Sequence, residues 1–191
     1  MINEKTSLTE LATIVSDALE NAGIIATLSG GAAVSIYSNN AYQSADLDFV
    51  TAALVKDLKG ALEPLGFVHT GRPRLSVFEH PKTSWYLEFP GAPISFSGIY
   101  VDPSDCSQID TGLGYLRVIT PTHSVMDRLG AAAAWNEPQS LEQALLVSNH
   151  CADQIDWQAL DDWVLEADIQ NSKEALAFYE ATNRQIPQQQ K

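Results

Sequence analysis

The feature that most constrains the fold of this 191-residue chain is a short apolar stretch, residues 46–50, with two aspartates at alternate positions. Side chains alternate between the two faces of a β-strand, so Asp46 and Asp48 are expected on one face, with Leu47 and Phe49 packed behind them. Two adjacent carboxylates on an otherwise apolar strand repel each other and resist burial. A hard dication such as magnesium would relieve that repulsion, because magnesium prefers carboxylate oxygens and substrate phosphates. Taken alone, the pattern is explained equally well by a strand end that carries two solvated acids.

A pair of glycines, Gly30 and Gly31, separates an apolar segment from a helical pattern earlier in the chain. Residues 24–28 are predicted to form a buried strand and residues 32–37 a helix. Glycines between a strand and a helix allow a tight turn, a positive φ angle and close approach of a ligand to the backbone. The amides at the start of the helix favour anions such as a triphosphate. On their own, the glycines are explained more simply by an ordinary strand-to-helix turn.

A third acidic residue, Glu88, lies within the apolar, β-prone segment 84–90. By strand alternation it shares a face with Tyr86. If this strand lies beside the strand of Asp46 and Asp48, the three carboxylates form a metal-binding cluster. The alternative is a glutamate on an edge strand that faces water.

Apolar periodicity and turn residues divide the chain into an α/β half, residues 1–119, a helical half, residues 120–184, and a tail, residues 185–191, which is expected to be flexible. Capping boxes are expected at Ser7 and Ser140, and Thr120-Pro121 is typical of a helix start. The predicted strands are 24–28, 45–51, 67–70, 75–79, 85–89, 99–101 and 115–119. The predicted helices are 8–20, 32–37, 54–65, 121–134, 140–149, 156–167 and 172–182.

The chain carries 24 acidic and 11 basic residues, a net charge of −13. Such a surface repels phosphate backbones and lacks the basic footprint of a nucleic-acid binder. A small molecule or a protein is therefore a better partner than a large RNA, although a local basic pocket or a metal-bridged nucleotide is not excluded. We find no signal peptide and no long apolar run, so we expect a cytoplasmic protein with no membrane segment. The cysteines, Cys106 and Cys151, match no zinc spacing and are expected to be free thiols.

The order of the motifs resembles the polymerase-β-like nucleotidyltransferase superfamily: a Gly-Gly pair, an apolar helix, Asp46-x-Asp48 on a strand, and Glu88 on a later strand. The closer resemblance is to the small AbiEii-like bacterial proteins with this fold. The stretch from Thr120 to Leu146 is similar as well, and the similarity covers roughly residues 20–170. The resemblance implies an α+β fold in which helices flank a mixed β-sheet, with a helical C-terminal half.

The resemblance also implies in-line transfer of a nucleoside monophosphate from a nucleoside triphosphate to a hydroxyl acceptor. The implied metal ligands and catalytic residues are Asp46, Asp48 and Glu88. The ion would be Mg²⁺ or Mn²⁺, and Glu88 is also a candidate general base. The implied nucleotide-binding residues are Ser29, Gly30, Gly31, Ser44, Asp127 and Arg128.

Two departures from the superfamily concern positive charge. A basic residue often found just before the first aspartate is replaced here by Gln43 and Ser44, and no lysine or arginine occurs between Lys5 and Lys56. Phosphate charge would then be met by metal, by amides and by distant cations. Those cations are Arg72, Arg74 and Arg128. Two alternatives stay open: a toxin that uses the same site and is held inactive by an antitoxin, and a catalytically degenerate module that binds a nucleotide or a protein.

Overall fold

A computed structural model describes residues 2–71 and 76–189 of the chain. Two compact units are present. The first consists of Met1–Ala33, Gln43–Ile94 and Asp102–Ile119, and the second of Val34–Tyr42, Ser95–Val101 and Thr120–Lys191. Arg72, Arg74 and the first residue of the predicted strand 75–79 lie outside the described residues. The predicted domain division after residue 119 stays a prediction.

Helices and strands alternate up to residue 69, further strands follow up to residue 118, and the described elements from residue 121 onward are helices. The strands are β1 (Ala26–Ser29), β2 (Asp46–Thr51), β3 (Val68–His69), β4 (Val77–Glu79), β5 (Tyr86–Glu88), β6 (Ile94–Phe96), β7 (Ile99–Val101), β8 (Ser107–Asp110) and β9 (Tyr115–Val118). The helices are α1 (Leu8–Asn21), α2 (Gly30–Tyr37), α3 (Val55–Leu62), α4 (Pro121–Trp135), α5 (Pro138–His150), α6 (Trp157–Glu166) and α7 (Lys173–Ala181).

The first unit is built on a seven-stranded mixed sheet in the order β3-β4-β5-β2-β1-β9-β8. Strand β2 runs antiparallel to β1 and parallel to β5, and β1 runs parallel to β9. Helix α1 packs against β1 and β9, and α3 packs against α1 and β3. The predicted class, an α+β fold with a mixed sheet flanked by helices, is confirmed.

Side-chain alternation gives the central strands one apolar face and one polar face. Leu28, Leu47, Phe49 and Leu87 are fully buried, whereas the aspartates of β2 are only partly buried. Fully burying an aliphatic or aromatic side chain of this size stabilises the fold by roughly 1.5–3 kcal/mol. The apolar face therefore holds the sheet in place while the opposite face presents its polar groups.

Helix α1 begins at the predicted capping box. The Ser7 hydroxyl accepts a hydrogen bond from the Glu10 amide at 3.2 Å, and the Ser7 amide donates to Glu10 Oε2 at 2.7 Å. Hydrogen bonding to the Glu10 carboxylate, first from the Ser7 backbone and then from the Ser7 side chain, lowers the pKa of Glu10. The helix buries Leu11, Val15 and Leu19, which recur at helical spacing.

The second unit is mainly helical, with α4 packed against α5, α6 and α7. Thr120 caps α4 by accepting a hydrogen bond from the His123 amide at 3.1 Å. The predicted capping box at Ser140 is wrong, because α5 begins two residues earlier, at Pro138. Proline is favoured at the first helical position, and Ser140 Oγ instead donates to Glu137 Oε2 at 3.0 Å.

Strands β6 and β8 were not expected from the sequence pattern. Strand β8 lies at the edge of the sheet and has no fully buried residue, so it lacks the apolar alternation that marks a half-buried strand. Within the described ranges, no helix has the length and apolar character needed to cross a membrane.

Candidate metal centre

Three carboxylates converge on the polar face of the first unit's sheet. In the parallel pairing of β2 with β5, Asp46 lies opposite Tyr86 and Asp48 lies opposite Glu88. In the antiparallel pairing of β2 with β1, Ser29 lies opposite Asp48. One carboxylate oxygen from each acid lies within 4.8 Å of the other two, and all three residues are partly buried.

The donor set of this cluster fits a hard divalent cation. Each of the three groups offers a carboxylate oxygen, the ligand type that magnesium and manganese prefer. Like charges held this close raise each other's energy unless a cation or a proton compensates. The cluster predicted from strand alternation is therefore present in space, and it is suited to binding a divalent metal ion.

Two hydroxyls hold Asp46 in place. Ser44 Oγ donates to Asp46 Oδ1 at 2.9 Å, and the Tyr86 hydroxyl donates to Asp46 Oδ2 at 3.3 Å. The indole of Trp85 donates to the Ser44 carbonyl at 3.1 Å and so fixes the segment that carries Ser44. The Asp46 charge, followed by burial and the Glu88 charge, raises the pKa of Tyr86. Tyr86 therefore remains a protonated donor to Asp46 at neutral pH.

Gly30 allows the β1–α2 turn to approach the Asp48 side chain. Its φ angle is +62°, in the left-handed region, and a Cβ built at this position would overlap the Asp48 carboxylate. Beside it, the buried Ser29 hydroxyl donates to the Asp48 carbonyl at 3.4 Å. Helix α2 begins at Gly30 rather than at Ala32, so both glycines belong to its first turn. The positive φ predicted for this pair is present at Gly30.

Comparison with solved structures finds the same architecture at low sequence identity. An antigenic nucleotidyltransferase-like protein from Paracoccidioides brasiliensis matches with a TM-score of 0.59 and 13% identity, over 97% of this chain and 96% of its own. The antibiotic-resistance factor ANT(2'')-Ia matches with a TM-score of 0.58 and 15% identity, over 94% of this chain and 99% of its own. Its complex with adenylyl-2''-tobramycin matches with a TM-score of 0.53 and 14% identity, over 92% and 98% of the two chains.

This chain has a nucleotidyltransferase-like fold. At identities of 13–15%, the structural similarity shows the fold alone, and a fold by itself does not determine an activity. No protein-family model matches the chain, and comparison with curated proteins gives no match. The closer resemblance to AbiEii-like proteins stays a prediction.

The two nucleotide-binding residues predicted in the helical half of the nucleotidyltransferase-like chain lie on α4, in the second unit. The Arg128 guanidinium donates to Asp127 Oδ2 from Nη2 at 2.8 Å and from Nε at 3.1 Å. Its Nη1 donates to Gln143 Oε1 at 3.4 Å. The structure thus places Asp127 and Arg128 in one ion pair, and their role toward a nucleotide stays a prediction.

The sequence did not predict that Ser44 and Tyr86 orient the Asp46 carboxylate. Tyr86 was expected only to share a face with Glu88, and Ser44 only to contact the nucleotide. The register that sets Tyr86 opposite Asp46 joins residues 40 positions apart. The parallel pairing of two strands leaves no short-range signal of this kind, because it depends on a crossover connection.

Proposed function

We propose that this protein transfers a nucleoside monophosphate from a nucleoside triphosphate to a hydroxyl group, with Mg²⁺ or Mn²⁺ as its metal. One observation carries the proposal: Asp46, Asp48 and Glu88 converge within 4.8 Å beside the Gly30 turn. The nucleotidyltransferase-like fold supports the reading of this cluster as an active site.

Asp46, Asp48 and Glu88 would hold the metal. When bound, a divalent ion there supplies charge neutralisation for the triphosphate and lowers the pKa of the acceptor hydroxyl. Ser44 and Tyr86 keep the Asp46 carboxylate in one orientation, and a fixed second layer of hydrogen bonds of this kind commonly tunes a metal site.

The reaction itself is an in-line displacement at the α-phosphorus. The acceptor oxygen forms a bond to the α-phosphorus, and the bond from that phosphorus to the pyrophosphate oxygen breaks. We assign the role of accepting the hydroxyl proton to Glu88, and pyrophosphate leaves with the electrons of the broken bond. Amides at the first turn of α2 are suited to hold the phosphates, because a helix N-terminus favours anions.

A small-molecule hydroxyl is the acceptor class that the charge of the chain favours. A net charge of −13 repels the backbone of RNA. ANT(2'')-Ia, which shares this fold, is bound to an adenylylated small molecule in its complex with adenylyl-2''-tobramycin. We therefore propose a small-molecule acceptor in preference to a tRNA end or a protein side chain.

Calorimetric titrations with ATP, GTP, CTP and UTP, each with and without Mg²⁺, test the proposal. We expect metal-dependent binding of at least one triphosphate, and Asp46→Asn should abolish it. Release of pyrophosphate on addition of an acceptor, followed with a coupled assay, then tests the transfer step. Metal-independent binding, or an Asp46→Asn variant with full transfer activity, would reject the assignment.

A second candidate is a protein that binds a nucleotide, or a protein partner, without catalysis. The absence of lysine and arginine between Lys5 and Lys56 favours it, because that stretch contains most of the candidate site. The same titrations separate the two functions. Binding without pyrophosphate release indicates a nucleotide sensor, and binding of no triphosphate indicates a protein-interaction module.

A further inference from the structure

A cavity lies on the same face of the sheet as the carboxylates. Its volume is about 360 Å³, within the size range of small-molecule sites. We call it the Val50 pocket. Six of the residues that line it are Thr27, Val50, Ala92, Pro93, Ile94 and Pro103, all in the first unit.

The β1–β2 register relates the pocket to the candidate metal centre. Thr27 lies opposite Val50, and Ser29 lies opposite Asp48. Val50 is two residues beyond Asp48 on β2 and therefore points to the same face, about 7 Å away along the strand. The Val50 pocket thus begins next to the carboxylate cluster.

The pocket and the Gly30 turn lie on opposite sides of the Ser29–Asp48 pair. Gly30 follows Ser29 along β1, whereas Thr27 precedes it. In an in-line transfer the attacking oxygen and the leaving pyrophosphate stand on opposite sides of the phosphorus. If the phosphates bind at the Gly30 turn, the pocket is on the side from which the acceptor must approach.

The wall of the pocket is held by backbone hydrogen bonds. The Thr51 amide donates to the Pro90 carbonyl at 3.1 Å, and the Ala92 amide donates to the Thr51 carbonyl at 3.0 Å. These bonds fix the segment after Glu88 against the end of β2. The pocket is therefore formed before a ligand arrives, which reduces the ordering cost of binding.

The lining determines the chemistry of the ligand. None of the described residues that line the Val50 pocket carries a charge, and most are aliphatic or proline. A polycation would leave its charges unpaired there, at a large desolvation cost. By contrast, a larger cavity of about 650 Å³ near α3 has the charged residues Lys56 and Asp57 in its lining.

We propose that the Val50 pocket binds the acceptor of the transfer reaction, and that this acceptor is an uncharged alcohol with an apolar body. The proposal rests on the proposed function for the role of the hydroxyl group. The apolar body occupies the pocket, and the hydroxyl projects along β2 toward Asp48 and Glu88.

Binding of a fluorescent alcohol to the full chain tests the pocket without any nucleotide. The probe is 2-(2-naphthyl)ethanol, followed by fluorescence polarisation. Ala92→Phe places a ring in the pocket from an exposed position, and we expect at least a tenfold loss of affinity. The matched control is Ala22→Phe, also exposed and in the same unit but outside the pocket, and its affinity should stay within twofold of the unchanged protein. Absence of probe binding, or equal affinities in the two variants, overturns the proposal.

Adding Mg²⁺ and ATP separates the pocket from the nucleotide site. We expect the probe and the nucleotide to bind together, and mass spectrometry should detect the nucleotidylated naphthylethanol in preference to nucleotidylated kanamycin, a polycation. Competitive displacement of the probe by ATP would assign the pocket to the nucleobase and overturn the proposal, as would transfer to kanamycin alone. If the probe binds with the expected variant pattern but no triphosphate binds, the proposed function fails while the pocket stands as an apolar ligand site.

Discussion

An aspartate from each unit shows two different ways of compensating a negative charge. In the second unit, Asp127 lies 2.8 Å from the guanidinium of Arg128, its neighbour on α4, so the fold itself supplies the compensating charge. In the first unit, Asp46 accepts hydrogen bonds from two neutral hydroxyls and has two further acids, Asp48 and Glu88, as neighbours. The carboxylate cluster of the first unit is therefore suited to a cation from outside the chain, whereas Asp127 has its cation on the same helix.

The largest expected effect comes from removing one charge from the carboxylate cluster. Asp46→Asn should lower the rate of metal-dependent transfer by at least about 100-fold, since even groups that only orient metal ligands contribute 10–100-fold. Its midpoint of thermal unfolding should be unchanged or higher, because repulsion within the cluster is relieved. Asp57→Asn, an exposed aspartate on α3, is the control. Equal transfer rates in Asp46→Asn and Asp57→Asn would show that the carboxylate cluster has no special role in the reaction.

Gly30→Ala tests the close approach of the turn to Asp48. A methyl group there overlaps the Asp48 carboxylate. In addition, the backbone at this position is left-handed, a conformation that costs a non-glycine residue about 1–2 kcal/mol. We expect a lower unfolding midpoint and at least a tenfold weaker affinity for Mn²⁺, measured by calorimetry. Gly60→Ala on α3, where a Cβ meets open space, should instead stabilise the protein slightly. Similar unfolding midpoints and Mn²⁺ affinities in Gly30→Ala and Gly60→Ala would show that the close approach of Gly30 to Asp48 is not needed.

Tyr86→Phe tests whether a neutral donor orients the first aspartate. Loss of the hydroxyl that donates to Asp46 should weaken Mn²⁺ affinity by about tenfold, in line with other groups that orient metal ligands. Tyr100→Phe, at a residue that is 73% exposed, provides the matched change elsewhere. Affinity equal to that of the unchanged protein would mean that Ser44 alone holds the carboxylate.

Asp127→Asn tests the internally neutralised acid of the second unit. The variant leaves Arg128 without its ion-pair partner, and a partly exposed pair of this kind contributes up to about 1 kcal/mol. The unfolding midpoint should therefore fall by about 2–4 °C, measured by differential scanning calorimetry. No such fall is expected for Asp46→Asn, and a fall of the same size in both variants would contradict the difference between the two units.

The smallest effect is expected at Ser7, where a carboxylate is satisfied by the capping box rather than by a cation. Ser7→Ala should lower the unfolding midpoint by about 1–2 °C at neutral pH. The Ser7 backbone, which alanine keeps, is the larger cause of the lowered pKa of Glu10, and the Ser7 side chain is the smaller one. The part of the difference that depends on the Glu10 carboxylate is present above its ordinary pKa of 4.5 and is lost as the pH falls through the lowered pKa. Calorimetric scans at pH 7 and pH 3 should show the difference shrinking, and a constant difference would exclude the Glu10 contact as its cause.

Local patterns predicted much of the fold and the core of the site. Asp46 and Asp48 lie on one face of β2, as strand alternation predicts. This face is fixed because Leu47 and Phe49 are buried on the other one. The same alternation predicts the face of β5 on which Glu88 lies, and the pairing of β5 with β2 brings Glu88 next to Asp48. Helix α1 followed from its capping box and apolar spacing.

What could not be predicted depends on contacts between distant segments. The hydrogen bonds from Ser44 and Tyr86 to Asp46 follow from the β2–β5 register, which no local pattern encodes. Strand β8 is an edge strand with a polar sequence, so its pairing with β9 provides the only signal. The site roles of Asp127 and Arg128 come from resemblance and stay predictions.

The most direct measurement is anomalous diffraction from crystals soaked with Mn²⁺ and a non-hydrolysable nucleoside triphosphate. We expect one or two manganese peaks coordinated by oxygens of Asp46, Asp48 and Glu88, with the triphosphate at the Gly30 turn. An electron-density map with no manganese at this cluster, or with the Glu88 carboxylate turned away from the aspartates, would contradict this expectation.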